Sequence, residues 1–339
     1  MSSNHRLLKV AGLCFVTAGF LLAPLTGARA QASRAKSAAS YFARGCELHT
    51  RGEFDRAIAD YDIAIAFDPR FVQAYYARAR ARLSKGEVEA ALGDFNRALE
   101  LDPRHVFAYN DRGYILFDRG ELDPALDDFN RALELDPRFA RAYYNRAFVK
   151  LHRRDYASAI ADFDRAIEID KKYGAAYNNR GYARFATGDH EGALLDFNRA
   201  IKLDPRHASA YGNRGNLRFT QGDFDGAIAD HTRAIELNPR LAESYNNRAN
   251  ARFAKADFEG AMADYNQSLT LNPQSAQVYA NRGILWLQRG RTAEAEADFA
   301  RYLALKPEMK ASLERRVKEL QSQQSSQYQL TQKGNRDYE

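Results

Sequence analysis

GAAYNNRGYARFATGDHEGALLDFNRAIKLDPRH, residues 174–207, is the stretch whose reading decides the fold. Its neighbours on both sides repeat it with small changes. Proline keeps the register at Pro69, Pro103, Pro137, Pro205, Pro239, Pro273 and Pro307, in steps of 34 residues, with Lys171 standing in the one skipped slot. A fixed period of this length means stacked units rather than a single globular core.

With positions numbered 1–34 from Ala38, proline falls at 32. Eight units then run 38–71, 72–105, 106–139, 140–173, 174–207, 208–241, 242–275 and 276–309. Position 4 is tyrosine in all eight, from Tyr41 to Tyr279, and position 8 is always Gly or Ala. Position 12 is apolar in most units, as in Leu83 and Phe117. Spacing of 4, 8 and 12 is one side of a helix. Glycine at position 15, as in Gly188, ends that helix, and an acid such as Asp189 opens the next. Alanine at 20 and an aromatic at 24, as in Ala193 and Phe197, mark the buried side of a second helix. Asp-Pro or Asn-Pro then stops it.

The chain has 339 residues, 28% charged and 45% hydrophobic, with a formal charge of +6. Residues 1–30 read as a secretory signal: His5, Arg6 and Lys9 form the charged start, Val10–Leu22 the apolar stretch, and Ala28-Arg29-Ala30 the cleavage site. The apolar stretch is too short for a good transmembrane helix. Removal of this segment takes away Arg6, Lys9 and Arg29 and leaves +3, too little to argue for nucleic acid. It also leaves Cys46 as the single cysteine, so packing must supply stability without an internal disulfide. The expected location is periplasmic or secreted. Residues 31–37 read as a short leader.

The eight in-phase units closely resemble the tetratricopeptide repeat family, in the small residues at 8 and 20, the aromatic at 24 and the proline at 32. The resemblance implies an all-α solenoid of helix-turn-helix repeats, wound into a right-handed superhelix with the first helices lining a concave groove. After Pro307 the pattern continues as helix over 310–322, with Leu313, Val317 and Leu320 on one stripe. This is the expected terminal cap. Residues 323–339 are rich in Gln and Ser and read as a disordered tail.

Two invariant positions depart from a plain apolar pattern. Position 7 is always arginine: Arg44, Arg78, Arg112, Arg146, Arg180, Arg214, Arg248 and Arg282. Position 23 is always aspartate: Asp60, Asp94, Asp128, Asp162, Asp196, Asp230, Asp264 and Asp298. Members of the family often carry an apolar residue at 7. One reading is a charged binding row. The preferred reading is a lattice of structural pairs within or between adjacent units, because an arginine on the packing side is costly to desolvate alone.

Positions 2, 6, 9 and 13 fall on the face opposite position 4, with position 5 at the edge. Position 6 carries Asn145, Asn179, Asn213, Asn247 and Asn281 in succession. An amide both donates and accepts, so such a row can hold an extended peptide by its backbone. It resembles the asparagine ladder of the peptide-holding solenoid in eukaryotic O-GlcNAc transferases, at this position only. The alternative is an ordinary solvated face. In the first half, Phe42, Tyr76, Phe107, Tyr114, Tyr144 and Phe148 fall at positions 2, 5 or 9. They predict either aromatic anchors for a ligand or packing between first helices. No lysine occupies position 5, which argues against the carboxylate clamp by which family members read acidic chain ends.

The fourth unit lacks both its turn glycine, replaced by Arg154, and its proline, which makes 171–174 a candidate joint or a neutral variant. His231 replaces the aromatic at 24 and His190 the apolar residue at 17. Both are expected to be packed and hydrogen-bonded. No catalytic motif, metal-ligand spacing or cofactor fingerprint is present. The sequence therefore predicts a non-catalytic scaffold for protein or extended-peptide partners, without nucleic acid, metal or cofactor and without membrane insertion after signal removal. A glycan-binding module, or the targeting subunit of an enzyme encoded elsewhere, is the alternative.

Overall fold

The computed structural model describes residues 25–322, with side chains from Gln31 onward. Sixteen α-helices follow one another: α1 (Leu25–Thr50), α2 (Phe54–Phe67), α3 (Val72–Ser84), α4 (Val88–Leu101), α5 (Val106–Asp118), α6 (Leu122–Leu135), α7 (Ala140–His152), α8 (Tyr156–Ile169), α9 (Gly174–Ala186), α10 (His190–Leu203), α11 (Ala208–Thr220), α12 (Phe224–Leu237), α13 (Ala242–Ala254), α14 (Phe258–Leu271), α15 (Ala276–Gln288) and α16 (Thr292–Leu305). A 3₁₀ turn at Pro307–Met309 leads into a last helix over 310–322. There are no strands among the described residues, and no helix there is long and apolar enough to cross a membrane.

The chain forms two compact units, which divide between Arg153 and Arg154. The first holds three helix pairs, α1/α2, α3/α4 and α5/α6, followed by α7. The second opens with α8 and continues with α9/α10, α11/α12, α13/α14 and α15/α16. The division thus falls inside the fourth repeat.

Each turn has a local cause. Six position-15 glycines sit at φ between 71° and 88°, the left-handed region that ends a first helix. Arg154 and Ala256 occupy the same slot at φ 61° without glycine's freedom. Second helices that begin after aspartate are capped by it: Asp189 Oδ1 accepts from Gly192 N–H at 2.9 Å, and Asp223 Oδ1 from Gly226 N–H at 2.8 Å. Glu53, Glu87 and Glu121 hold the same place without a side-chain cap. The second helices before α16 end in an Asp or Asn whose Oδ1 accepts from the N–H two residues on, as Asp204 does from Arg206 at 2.9 Å. Asp170 makes the same bond to Lys172 at 2.9 Å, so this turn forms without proline.

Small-against-large packing fills the core. Gly181 lies so close to the fully buried Phe197 that a Cβ there would come within 2.8 Å of the ring. Ala57, Ala91, Ala125, Ala159, Ala193, Ala227 and Ala261 are all 0% exposed, which allows the two helices of a repeat to approach closely. At the carboxyl end, Leu313, Val317 and Leu320 of the last helix pack with Phe299 and Tyr302 and cover the final repeat. At the other end, 31–37 is not a separate leader but part of α1, which also runs through the expected cleavage site. The rest of the expected signal and the tail 323–339 lie outside the described residues.

Candidate functional site

The first helices carry two different layers on two sides. One layer is built on the position-7 arginines. Arg180 Nε and Nη2 donate to the two carboxylate oxygens of Asp196 at 2.9 and 2.6 Å. The same fork joins Arg44 to Asp60, Arg78 to Asp94, Arg112 to Asp128, Arg214 to Asp230, Arg248 to Asp264 and Arg282 to Asp298. All seven pairs lie within one repeat, and their aspartates are buried. In the fourth repeat, Arg146 ends the first unit's series, donating to Asn130 at 2.7 Å, and Asp162 is buried in α8.

Two further positions complete the layer. The free Nη1 of each arginine from Arg78 onward reaches back to position 25 of the preceding repeat: Asp62, Asn96, Asn130, Asp164, Asn198, Thr232 or Asn266. Position 11 adds a second guanidinium to the same aspartate in four repeats, through Arg82, Arg184, Arg218 and Arg252. Each position-7 guanidinium also lies over its own position-4 tyrosine, at 5.0 Å for Arg44 on Tyr41 and 5.4 Å for Arg180 on Tyr177. Burial opposes the charge of Arg180, but the hydrogen bonds and charges of Asp196 and Asp164 outweigh it and hold the group more firmly protonated than usual. The signal for position 25 was present in the sequence. It bears a side-chain oxygen in all seven repeats that another repeat follows, and it is Ala300 in the last.

The other layer is the face of positions 2, 5, 6, 9 and 13. Its asparagines bond mainly to one another. Asn145 Nδ2 donates to Asn110 Oδ1 at 2.9 Å, Asn213 Nδ2 to Asn178 Oδ1 at 3.0 Å, and Asn281 Nδ2 to Asn246 Oδ1 at 3.1 Å. Position 9 joins through Asn216, which accepts from Asn247 at 2.8 Å, and Asn250, which accepts from Asn281 at 3.0 Å. Asn179 Oδ1 accepts from Asn178 at 3.0 Å. Within each unit the expected single row is therefore a two-ply network between successive first helices, and position 5 is the ply that the sequence reading missed. Asn145 is buried, so it is a link in the network and not an accessible rung. Asn213 is half-buried and commits one N–H, leaving the other N–H and its carbonyl oxygen for a ligand.

The aromatic residues of the first half separate into two groups. Phe42 is buried, packed 4.9 Å from Phe71 and 5.9 Å from Tyr61, and belongs to the core. Tyr76 packs against His105, ring centroids 4.7 Å apart, and donates its hydroxyl to Asp111 at 2.8 Å, so it too is a packing residue. Tyr144 is half-buried and stacks on Phe148 at 6.3 Å. Phe107, Tyr114 and Phe148 remain open, at 55%, 49% and 38% exposure. These three are the residues of that set that can meet a ligand.

His231 departs from its expected state. It is packed, 1% exposed and close against Gly215, but neither ring nitrogen has a hydrogen-bond partner among the described residues. Burial pushes its pKa down to about 4. His190 is half-buried beside Phe185 at 5.6 Å. Among the described residues no cluster of His, Cys, Asp and Glu has the arrangement of a metal site.

Several family profiles match the chain. Those described as Tetratricopeptide repeat match residues 42–106, 140–173, 208–241 and 248–321, and one described as TPR repeat matches 113–151 and 181–222. Comparison with curated protein sequences finds no match. Among solved structures, the Cut9–Hcn1 hetero-tetramer of the APC/C is similar at TM-score 0.64 and 19% identity over 80% of this chain. This chain spans 54% of that one's length. PilF of Pseudomonas aeruginosa is similar at TM-score 0.56 and 19% identity, over 61% of this chain and 94% of its own. A tetratricopeptide repeat protein of Parabacteroides merdae gives TM-score 0.57 and 19% identity, over 77% of this chain and 99% of its own. At these identities the likeness is one of fold.

Proposed function

Starting from a chain that belongs to the tetratricopeptide repeat family, and is as such a protein–protein interaction scaffold, we propose that it holds an extended segment of a protein partner along its first-helix face. The observation that carries this reading is the contrast between the two layers. The arginine layer spends its donors inside the protein, while the first helices keep Phe107, Tyr114 and Phe148 accessible in the first unit and Asn213 in the second. Amides can bond a peptide backbone without regard to its side chains, and exposed rings add anchoring area.

The scaffold is non-catalytic in this reading, and it acts outside the cytoplasm. The charged start, apolar stretch and A-x-A site of residues 1–30 support export to the periplasm or beyond. Photocrosslinking from position 213 in the native cell tests both parts. A protease-sensitive adduct formed by the exported, shortened chain is the expected result. An adduct removed by glycosidases favours the glycan-binding alternative, and capture of a single enzyme favours the targeting-subunit alternative.

A further inference from the structure

The third repeat differs from all others on its exposed first-helix stripe. Positions 2, 6, 9 and 13 of α5 read Phe107, Asp111, Tyr114 and Asp118. The same stripe reads Ser209, Asn213, Asn216 and Thr220 on α11, and Ala175, Asn179, Tyr182 and Ala186 on α9. Asp111 and Asp118 are the only acids at positions 6 and 13 in the eight repeats.

The two carboxylates are not equivalent. Asp111 is engaged, accepting from Tyr76 Oη at 2.8 Å and from Asn110 Nδ2 at 3.0 Å. Asp118 is exposed and has no hydrogen bond or ion pair among the described residues. The adjacent Arg119 is bound elsewhere, to Glu89 and Glu121. Asp118 is also the last residue of α5, where a negative charge meets the negative end of the helix dipole. The fold gains nothing from an acid at that place. Tyr114 lies one turn before it, and after burial the charge of Asp118 is the further cause that raises the proton affinity of its phenol.

The protein itself shows which guest such a pair takes. In seven repeats the position-4 tyrosine and the position-23 aspartate face one guanidinium, whose carbon lies 5.0–5.8 Å over the ring. Tyr114 and Asp118 offer the same two elements, a ring face and a carboxylate, and no cation of the described residues covers them. Phe148 at the equivalent position of α7 extends the open aromatic surface.

We propose that Tyr114 and Asp118 form a docking site for an arginine side chain on an extended peptide partner. The charge is complementary, and a planar guanidinium both stacks on a ring and bonds a carboxylate, so arginine is preferred over lysine. This rests on the peptide-binding reading above and adds the chemistry of one side chain to it.

The test is an array of random nonapeptides probed with the full chain and with Asp118→Asn, Asp118→Lys and Tyr114→Leu. The wild type is expected to select arginine at one peptide position, with roughly tenfold loss when citrulline replaces it. Asp118→Asn should abolish that selection yet melt no lower than wild type, which separates binding from folding. Asp118→Lys should turn the preference toward acids, and Tyr114→Leu should remove the preference of arginine over lysine. Equal binding of the citrulline peptide, or unchanged selection by Asp118→Asn, overturns the arginine site. If neutral peptides still bind and Asn213→Ala weakens them, the wider reading survives that result. If no peptide binds, both are overturned.

Discussion

Position 7 is arginine in every repeat and its partner at 23 is always aspartate, whereas position 9 reads Cys46, Arg80, Tyr114, Phe148, Tyr182, Asn216, Asn250 and Ile284. Both positions lie on the same helices, a fraction of a turn apart. The difference follows from what each side touches. Position 7 meets an unvarying neighbour, the aspartate of its own repeat, and then reaches the preceding one. Any change there strands a charge inside. Position 9 has no fixed partner: Asn216 accepts from Asn247, Asn250 from Asn281 and from Tyr265 of α14, and Tyr114 is open to solvent, so each repeat can carry a different group. A repeat protein thus separates what must recur from what is free to specify a partner.

The sharpest way to break the contrast is to remove a shared carboxylate. Asp196→Ala removes the buried carboxylate that Arg180 and Arg184 share, and it should cost about 3–5 kcal/mol of stability, read as a fall in thermal midpoint. Arg180→Ala should cost less, because Arg184 still holds Asp196. An unchanged midpoint in both variants would mean that the layer is decoration.

His231 marks a place where the buried layer itself is imperfect. Its pKa is lower folded than unfolded, so the folded state binds fewer protons and loses stability as acid is added. Full stability is expected above about pH 6.5. It should decline between there and pH 4 by about 3 kcal/mol. His231→Phe restores the ring found opposite Gly181 in α10. It should raise stability by about 1–3 kcal/mol at neutral pH by removing two unpartnered nitrogens, and flatten this acid dependence. A variant that keeps the slope assigns it to other groups.

Smaller effects belong to the turns and the open face. Ala256→Gly should stabilise by about 1 kcal/mol, since φ 61° is the left-handed region and glycine meets it at six equivalent turns. A lower midpoint would contradict that cause. Asn213→Ala should cost less than about 1 kcal/mol, one hydrogen bond at a half-buried site.

Much of this architecture was legible from residues 174–207 alone. Tyr177, Gly181, Ala193 and Phe197 are spaced for two packed helices, and repetition fixed their register. The partner of Arg180 in Asp196 was also within reach, because a recurring arginine on a packing side demands a recurring acceptor. The first-helix face was harder. Asn178 and Asn213 are 35 residues apart and meet only when two repeats are stacked at a definite offset. Helical phase placed Phe42 and Phe107 on one face, yet one is core and the other open. Phase gives a direction, and the neighbour that covers it comes from elsewhere in the chain. His231 was read as hydrogen-bonded because buried polar groups usually are. No polar group of α11 or α12 is placed to partner it.

Asn213 and Arg214, adjacent on α11, put the central claim to its most direct test. The partner segment captured by crosslinking is titrated at low temperature against wild type, Asn213→Ala and Arg214→Ala, with thermal melts recorded in parallel. Asn213→Ala is predicted to weaken binding roughly tenfold with a near-normal melt. Arg214→Ala is predicted to melt lower while its affinity in the cold stays close to wild type. Loss of affinity in Arg214→Ala alone, with Asn213→Ala binding normally, would contradict the division of the helix into a structural side and a recognition side.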